Sequence, residues 1–554
     1  MGASEPAELT ETPDRDGAFP RLDEGQIERL AACGRRSPTM SGERLYSQGD
    51  SDYDFFVVLA GLVSAHPDPE AEELAVAVHG PGRFLGELSL LTGQPAFYTT
   101  VVRESGEVLR VAPTALRALV AEDAAIGDLL LRAFLLRREL LSGLGAGLRI
   151  VGSRFLPDTR RLCDFAARNR LPFRWIDPDR DPDAEALLER LGVPSEATPV
   201  VVWGKRVWRN PDTAELAAAV GMREGPPRGR LSDLVVVGAG PAGLAAAVYG
   251  ASEGLVTVAI DGTAVGGQAG TSSRIENYLG FPSGISGAEL AERATIQARK
   301  FGARLSVGAA AVGLGRRDGG HVVSLADGTT LETRALVVAT GARYRRLAVE
   351  RLERFEGAGV HYEATFMEER LCVGASVAVV GGGNSAGQAT VFLSRRAGRV
   401  YLLLRHGDLT RDMSRYLADR IERMPRVEVL RRTEVRELLG DDHLDGVLVE
   451  DLESGGRRRL DVRELFVFIG AEPCTGWLDG TVPLDDHGYV LTGPDAAPGI
   501  ADGEAPPGLL ETGVPGILAA GDVRSGSIKR VASAVGEGAM AVRLAYARIN
   551  SEGR

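Results

Sequence analysis

The sequence predicts a multidomain α/β chain that begins with an all-β module and ends in two larger domains, each built on a parallel sheet. Three observations predict this fold class. Short strand-like runs separated by Gly, Pro and Asp fill residues 21–110, and strand and helix patterns then alternate over residues 148–222. Two glycine-rich turns follow, VGAGPAG (237–243) and VGGGNSA (380–386), each between a buried-strand pattern and an alanine-rich helical stretch.

Length, charge and cysteine usage narrow the class of protein. At 554 residues the chain has room for about three to four domains. A net charge of −12 and a pI near 5.3 argue against nucleic acid as a partner. The first residues lack the apolar core of a signal peptide, and the apolar stretch at 234–250 contains the first glycine turn, so no membrane span is predicted. The cysteines lie far apart without metal-ligand spacing, which predicts no zinc site, no disulfide framework and a cytoplasmic location: Cys33, Cys163, Cys372 and Cys474.

Composition shifts place the expected domain boundaries. Residues 1–20 are acidic and polar, which predicts a disordered leader, and a Pro/Gly/Arg-rich stretch predicts a linker at 223–232. Between them we expect a β-roll with a helical end over 21–147 and a small α/β domain over 148–222. The first glycine turn belongs to a domain in two parts, 233–345 and 465–550, and the second turn to a domain over 346–464.

Each glycine-rich turn has the chemistry of a dinucleotide site. Missing side chains let the backbone approach a pyrophosphate, and the helix that follows offers free N–H groups and the positive end of its dipole. Two such turns about 140 residues apart predict two Rossmann-like α/β nucleotide-binding domains that hold two dinucleotides.

The β-roll contains the string GRFLGELSLLTGQPAFYTTVV (82–102), which resembles the phosphate-binding cassette of cyclic-nucleotide-binding domains. The resemblance implies a cyclic nucleotide ligand held by Gly86, Glu87, Leu88 and Ser89, with the Glu87 carboxylate on the ribose 2′-hydroxyl. The family usually adds an arginine for the phosphate, but here the stretch reads Gln-Pro-Ala-Phe (94–97). Loss of a charge-assisted phosphate contact costs roughly 2–4 kcal/mol. Two interpretations therefore stay open, a β-roll kept as a docking domain and a true cyclic-nucleotide site.

The small α/β domain resembles a thioredoxin or glutaredoxin fold. It shows the order β-α-β-α-β-α, with Thr198-Pro199 before an apolar strand, and the resemblance implies a cis proline there. The redox CxxC of that family is missing, because residues 153–159 read SRFLPDT. Cys163 lies in the following helix, where a buried structural thiol is the default. Recognition or positioning is the expected task of this domain, since thiol–disulfide exchange needs a thiolate.

From Asp233 onward the chain resembles bacterial thioredoxin reductase. GGQAGTSSRIENYLGFPSGISGAEL (266–290) matches the family segment that wraps FAD, and GVPGILAAGDV (513–523) matches its second FAD motif. The resemblance implies that FAD is bound by Gly238, Gly240, Pro241, Ala242, Gly243, Asp261, Gly267, Gln268, Asn277, Thr340, Gly341, Gly521, Asp522, Arg530, Val531 and Ala532.

The second glycine turn is followed by a basic segment, VYLLLRHGDLTR (400–411). A cation at the end of this strand favours an adenosine 2′-phosphate, so we expect NADPH rather than NADH. Family members commonly have two adjacent arginines here, whereas this chain has Arg405 and His406. The expected NADP-binding residues are Gly381, Gly383, Asn384, Ser385, Ala386, Arg405 and Arg411.

The redox cysteine pair of the family is missing from this chain. The family has a CxxC after a Gly-Val-x-Tyr lead, and here the lead at 359–362 is followed by Glu363 and Phe366 in the two cysteine positions. Reduced flavin therefore has no internal disulfide to reduce. Glu363 is either a proton donor near the flavin or a surface carboxylate, and Cys372 is either structural or a displaced single thiol.

The resemblance implies an FAD-dependent NAD(P)H oxidoreductase that passes hydride from NADPH to FAD and then to an unidentified small-molecule or small-protein acceptor, such as a quinone, oxygen, or an iron–sulfur or flavin carrier. It also implies a homodimer. One alternative is a genuine disulfide reductase that uses Cys163, Cys372 or a partner's cysteines. The other is a signalling protein that senses a cyclic nucleotide or the NADPH redox state.

Overall fold

The computed structural model describes residues 10–67, 75–144, 147–181, 183–194, 197–224, 231–272, 275, 277–317, 320–356, 359–362, 364, 372–441, 443–478, 480–497 and 507–551. The chain forms two compact units. The first contains residues 1–230, 260–264 and 295–310, and the second contains residues 231–259, 265–294 and 311–554.

The described helices and strands follow the predicted order. The helices are α1 (Glu24–Ala31), α2 (Ser89–Thr92), α3 (Pro113–Glu122), α4 (Ala124–Gly143), α5 (Pro157–Arg168), α6 (Asp183–Arg190), α7 (Thr213–Ala219), α8 (Pro241–Ser252), α9 (Gly287–Lys300), α10 (Leu352–Phe355), α11 (Asn384–Leu393), α12 (Arg415–Glu422) and α13 (Val531–Ser551). The strands are β1 (Arg35–Thr39), β2 (Arg44–Tyr46), β3 (Phe55–His66), β4 (Ala77–His79), β5 (Phe84–Leu85), β6 (Thr99–Val111), β7 (Leu148–Val151), β8 (Phe173–Ile176), β9 (Val200–Trp203), β10 (Arg206–Arg209), β11 (Ser232–Val237), β12 (Thr257–Asp261), β13 (Arg304–Val307), β14 (Ala311–Arg317), β15 (Gly320–Leu325), β16 (Thr330–Val338), β17 (Ala342–Tyr344), β18 (Val360–His361), β19 (Ser376–Val380), β20 (Arg399–Leu403), β21 (Val427–Leu430), β22 (Thr433–Leu439), β23 (Gly446–Asp451), β24 (Arg457–Leu460), β25 (Glu464–Val467), β26 (Ala471–Pro473) and β27 (Ile517–Ala519).

The β-roll of the first unit is an antiparallel sheet in the order β1-β6-β3-β4, with β2 on β6 and β5 on β3. Its apolar core extends onto the helical end through residues such as Phe55, Phe84 and Phe134. The predicted helical end of the β-roll consists of two helices, α3 and α4. They are separate because Asp123 caps the N-terminus of α4, where its carboxylate accepts the N–H groups of Ala125 and Ile126.

Residues 10–20 correct the expected disordered leader of 1–20. Phe19 and its neighbour Ala18 are buried against the β-roll, and Arg137 Nε donates to the Ala18 carbonyl at 2.7 Å. Glu11 pairs with Arg83 Nε at 2.7 Å. The polar composition of this stretch suggested that it is exposed to solvent. It is ordered instead, because Glu11 pairs with the largely buried Arg83 and Phe19 packs into the β-roll.

The small α/β domain is a four-stranded sheet in the order β10-β9-β7-β8. β7 runs parallel to β8 and antiparallel to β9, which agrees with the resemblance to thioredoxin-like folds. The Thr198–Pro199 peptide is cis, as that resemblance implied. The hairpin strand β10 was not predicted, because its exposed, arginine-flanked sequence RVWR has too weak an alternation to distinguish it from a loop.

The second unit contains both glycine-rich turns. The first lies in a sheet ordered β12-β11-β16-β15-β14, with β27 parallel to β16, and the second lies in the parallel sheet β18-β25-β19-β20-β21. The three-stranded sheet β22-β23-β24 belongs to the same stretch of chain as the second turn, the predicted domain over 346–464. The two chain crossings between these domains pair with each other as the short ladder β17–β26.

Two kinds of feature are missing from the part of the chain that the structure describes. None of its helices combines the length and the apolar character needed to span a bilayer. No cluster of three His, Cys, Asp or Glu side chains there has the proximity of a metal site.

Candidate dinucleotide sites

The first glycine turn joins β11 to α8, and two of its glycines have no room for a side chain. Gly238 has φ +103°, and a Cβ there would lie 2.2 Å from the Ala339 carbonyl oxygen. A Cβ on Gly243 would lie 1.8 Å from the carbonyl oxygen of Gly238. Gly240 caps α8 and Pro241 starts it, so the free N–H groups of the first helical turn point out of a bare backbone surface.

A second segment closes over this turn. The Gly266 N–H donates to the Ala239 carbonyl at 2.7 Å, and a Cβ on Gly267 would lie only 3.0 Å from the Gly240 Cα. The amide oxygen of Gln268 is buried and accepts no hydrogen bond from the described residues. A cradle lined by backbone, with an unsatisfied amide beside it, fits the pyrophosphate of a dinucleotide such as FAD.

The C-terminal motif packs against the same helix. A Cβ on Gly521 would lie 2.9 Å from the Ala242 Cβ, and one on Gly538 would lie 2.1 Å from the Ala242 carbonyl oxygen. The structure thus brings the 238–243 turn together with the segment that begins α13. Burial raises the pKa of Asp522, and the Lys529 ammonium opposes that rise.

The other residues expected at this site occupy varied surroundings. One Asp261 carboxylate oxygen accepts the N–H groups of Thr263 and Ala264. The Thr340 hydroxyl donates to the Cys474 carbonyl at 2.8 Å, and the Gly341 carbonyl accepts from the Cys474 N–H at 3.0 Å. Three of the expected residues are exposed, namely Asn277, Arg530 and Ala532, and Val531 is half-buried.

Glu537 belongs to this region and was not predicted. Its carboxylate accepts the Gly521 N–H at 2.7 Å and pairs with Arg524 at 2.6 Å. The acid therefore fixes the backbone just before Asp522. The signal was a single glutamate in the small-residue helix sequence VASAVGEGAM, which is too common to be informative by itself.

The second glycine turn joins β19 to α11 in the same way. Gly381 has φ +140°, and a Cβ there would lie 2.2 Å from the Phe468 carbonyl oxygen. Gly383 caps α11, and Ala386 is buried in the apolar core behind it. Ser385 is exposed at the start of α11. The turn again presents helix N–H groups on a bare surface.

The basic segment after β20 folds back over this turn. A Cβ on Gly382 would lie 2.9 Å from His406 Nε2, and the Asn384 side-chain oxygen accepts the Ser414 N–H at 2.8 Å. Sequence reasoning missed the Asn384–Ser414 contact because it joins residues 30 positions apart.

An acidic side chain lies near each basic side chain of this segment. Asp412 lies 3.2 Å from His406 Nε2 and 3.9 Å from Arg411 Nε, and Glu434 lies 3.7 Å from Arg405. The side chains of Arg405 and Arg411 are 73% and 65% exposed, so both are accessible to a ligand phosphate.

The segment at 359–362, which precedes the positions of the missing cysteine pair, is fixed by two side-chain contacts. His361 Nε2 lies 2.6 Å from the Glu464 carboxylate, and the Tyr362 hydroxyl donates to Glu356 at 2.8 Å. Burial and the Glu356 carboxylate raise the pKa of Tyr362. Glu363 and Phe366, which stand at the family's cysteine positions, lie outside the described residues.

Two of the four cysteines, Cys163 and Cys372, are placed poorly for redox chemistry. Cys372 is fully buried in an apolar cluster. Burial and the neighbouring Asp164 carboxylate raise the pKa of Cys163 to about 12, so its thiol stays protonated at neutral pH. Cys33 is exposed with a raised pKa, and the Cys474 sulfur accepts from Arg343 Nε at 3.3 Å.

The four predicted ligand residues of the β-roll cassette are all buried. Gly86, Leu88 and Ser89 are buried, and Glu87 has no exposed surface. An ion pair at 3.2 Å joins Glu87 to Arg138 of α4. Sequence reasoning missed Arg138, although two adjacent arginines within the leucine-rich stretch AFLLRRELL were a possible signal.

Comparison with known proteins agrees with these two kinds of site. Residues 232–538 match the family model described as pyridine nucleotide-disulphide oxidoreductase, and residues 39–123 match that of the cyclic nucleotide-binding domain. The thioredoxin reductase of Treponema pallidum is 34% identical over 320 residues, which are 58% of this chain and 97% of that protein. The "34.2 kDa protein in rubredoxin operon" of Clostridium pasteurianum is 31% identical over 313 residues, 56% of this chain and 96% of that protein.

A solved structure gives the same assignment. The crystal structure of Lactococcus lactis thioredoxin reductase in its FR conformation is similar with a TM-score of 0.52 at 25% identity, covering 58% of this chain and 99% of that one. The family model spans more than half of the chain. The chain therefore belongs to the pyridine nucleotide-disulphide oxidoreductase family, as an FAD-dependent oxidoreductase of the thioredoxin reductase type that carries an N-terminal cyclic nucleotide-binding domain.

Proposed function

We propose that this oxidoreductase takes electrons from NADPH and delivers them to an acceptor other than a protein disulfide. The observation that carries the proposal is the sequence itself, which has Glu363 and Phe366 where the family has its two thiols. The surroundings of Cys163 and Cys372 support it, since one thiol has a raised pKa and the other is fully buried. A quinone, oxygen, or an iron–sulfur or flavin carrier fits this chemistry.

The residues of the two glycine turns hold and orient the dinucleotides in this proposal. The cradle of the FAD pyrophosphate is formed by Gly238, Gly240, Gly243 and Gly267. Asp522 meets the ribityl chain of the flavin. FAD, when bound, supplies the two-electron chemistry that links nicotinamide to the acceptor. The protein contributes binding, orientation and the electrostatics of the helix N-termini.

The second turn receives NADPH in this proposal. Gly381, Gly383 and the start of α11 face the pyrophosphate, while Arg405 and Arg411 meet the adenosine 2′-phosphate. We further infer a homodimer in the cytoplasm from the resemblance to thioredoxin reductases. The cyclic nucleotide implied by the β-roll is not part of the proposal, because the polar groups assigned to it have internal partners.

Acceptor assays test this proposed function. We expect anaerobic NADPH to bleach the flavin absorbance and the reduced protein to turn over ferricyanide or a benzoquinone. Thioredoxin with a dithiol reporter should give no turnover above background, since no internal disulfide carries the electrons. The matched controls Cys163→Ala and Cys372→Ala should behave like the unmodified protein. Thioredoxin-dependent turnover that either substitution abolishes would establish the disulfide reductase instead.

The charges near the second turn predict a preference for NADPH. Removing both cations with Arg405→Ala and Arg411→Ala should lower kcat/KM for NADPH by roughly ten- to a hundredfold. Both side chains are largely exposed, so we expect the two together to contribute about as much as one charge-assisted hydrogen bond, ~1.5–3 kcal/mol. The value for NADH should stay unchanged. Exposed Arg420 of α12 offers the control Arg420→Ala, which should alter neither value. A ratio of kcat/KM for NADPH to NADH near one in the unmodified protein would contradict the preference.

A further inference from the structure

The cassette groups that a cyclic nucleotide would need are already engaged within the β-roll. The Gly86 N–H donates to the Tyr98 hydroxyl at 3.2 Å, and that hydroxyl donates back to the Gly86 carbonyl at 3.0 Å. One oxygen of the Glu87 carboxylate accepts the Phe97 N–H at 2.7 Å. The resemblance to cyclic-nucleotide-binding domains implies that backbone N–H groups of the cassette meet the phosphate and that Glu87 meets the ribose. In this chain the Gly86 N–H and the Glu87 carboxylate are bonded to the chain itself.

The guanidinium of Arg138, which belongs to α4, lies against Glu87 and Ser89 of the cassette. The Arg138 side chain is 3% exposed, and its guanidinium lies 3.2 Å from the second Glu87 oxygen and donates to the Ser89 hydroxyl at 3.1 Å. It also lies over the Phe97 ring, 4.7 Å from the centroid. The positive charge missing from the 94–97 stretch is thus supplied internally, but it points at the cassette's own carboxylate.

The small α/β domain covers this filled cassette. The rings of Phe97 and Trp203 are stacked, with centroids 5.2 Å apart and planes at 25°. Both side chains are buried, and Trp203 belongs to β9, one of the two inner strands of the small sheet. A nucleotide would have to displace an aromatic stack and a buried ion pair, which would leave the Glu87 carboxylate buried without its cation.

We propose that the cassette is the docking seat of the small α/β domain, with Trp203 as the occupant, and that it does not bind a cyclic nucleotide. Phe97, in the stretch that lacks the family's arginine, is the surface on which Trp203 rests. Arg138 neutralises Glu87 so that the seat is closed to solvent without an uncompensated charge. The seat holds the β-roll and the small domain as one body, independently of the proposed flavin chemistry.

Calorimetric titration of the full-length protein with cAMP and cGMP tests the first half of this proposal. We expect no saturable binding up to about 1 mM, both in the unmodified protein and in Trp203→Ala. The variant is informative because removing the indole uncovers the cassette while leaving Glu87 and Arg138 paired. Saturable binding of either nucleotide to either protein overturns the proposal in favour of a nucleotide site.

Hydrogen exchange tests the docking itself. Trp203→Ala should raise the exchange rate of the Phe97 and Tyr98 amides about tenfold or more, while the amides of β3 in the β-roll core keep their rates. Trp203→Phe keeps a ring on the seat and should resemble the unmodified protein. Half-buried Trp208 on the neighbouring strand provides the matched control Trp208→Ala. Equal effects of Trp203→Ala and Trp208→Ala on these amides overturn the docking role.

Discussion

Gly267→Val should yield a folded protein that retains less than about a tenth of the flavin of the unmodified enzyme, a loss equivalent to at least ~1.4 kcal/mol of binding free energy. Gly267 has φ +53°, and its Cβ would lie 3.0 Å from the Gly240 Cα at the N-terminus of α8. A valine there separates the two backbone segments that form the proposed pyrophosphate cradle. Its methyl groups also occupy the space from which the phosphates would reach the helix N–H groups.

The flavin-to-protein absorbance ratio of the purified protein measures this effect. A left-handed backbone conformation costs a side-chain-bearing residue ~1–2 kcal/mol, so the control must carry the same strain. Gly328 has φ +83° in a hairpin turn with open space around it, which makes Gly328→Val that control. Undiminished flavin in Gly267→Val would remove the cradle from the proposed site. Equal loss in both variants would attribute the effect to backbone strain alone.

Arg138→Leu should destabilise the β-roll by about 3–5 kcal/mol, because it leaves the Glu87 carboxylate buried without its cation. Glu87 has no exposed surface, and Arg138 is its ion-pair partner at 3.2 Å. The opening free energy of the β3 and β6 amides, measured by hydrogen exchange, reports on this module separately from the rest of the chain. Exposed Arg117 gives the control Arg117→Leu, which should change that free energy by less than about 0.5 kcal/mol.

The destabilisation by Arg138→Leu should depend on pH. Burial raises the pKa of Glu87, and the Arg138 charge opposes that rise. A carboxyl group whose folded-state pKa is raised contributes stability that is present below its unfolded pKa and is lost as pH rises through the folded value. Removing Arg138 raises the folded-state pKa further, so the loss should be larger at pH 8 than at pH 5. A loss independent of pH would mean that packing, rather than charge, sets the role of Arg138.

Features that depend on short stretches of chain were predictable from the sequence. The turn glycines could be identified because left-handed φ angles and close backbone approaches, as at Gly238 and Gly381, exclude side chains locally. The alternating pattern of the small domain likewise predicted β7, β8 and β9. These constraints act over a few residues, so a single sequence is enough to read them.

Features that depend on distant partners were not predictable. In the sequence, Arg138 is one of two polar residues that interrupt a leucine-rich helix. Only the fold shows that its partner is Glu87, which lies 51 positions earlier in the chain. The polar stretch at 10–20 was expected to be disordered for the same reason, since its ordering comes from Arg83 and Arg137. A buried charge is stabilised by whichever opposite charge the fold brings to it, and spacing in sequence does not reveal that partner.

The ladder between β17 and β26 has a mechanical consequence. The register pairs Ala342 with Pro473, and the Cys474 N–H and the Thr340 hydroxyl add two further cross-links at the same end. The two crossings therefore form one narrow ribbon rather than two separate tethers. A ribbon twists about its long axis far more easily than it bends within its hydrogen-bonded plane, so any reorientation of the second nucleotide domain is confined to a torsional path that both crossings follow together.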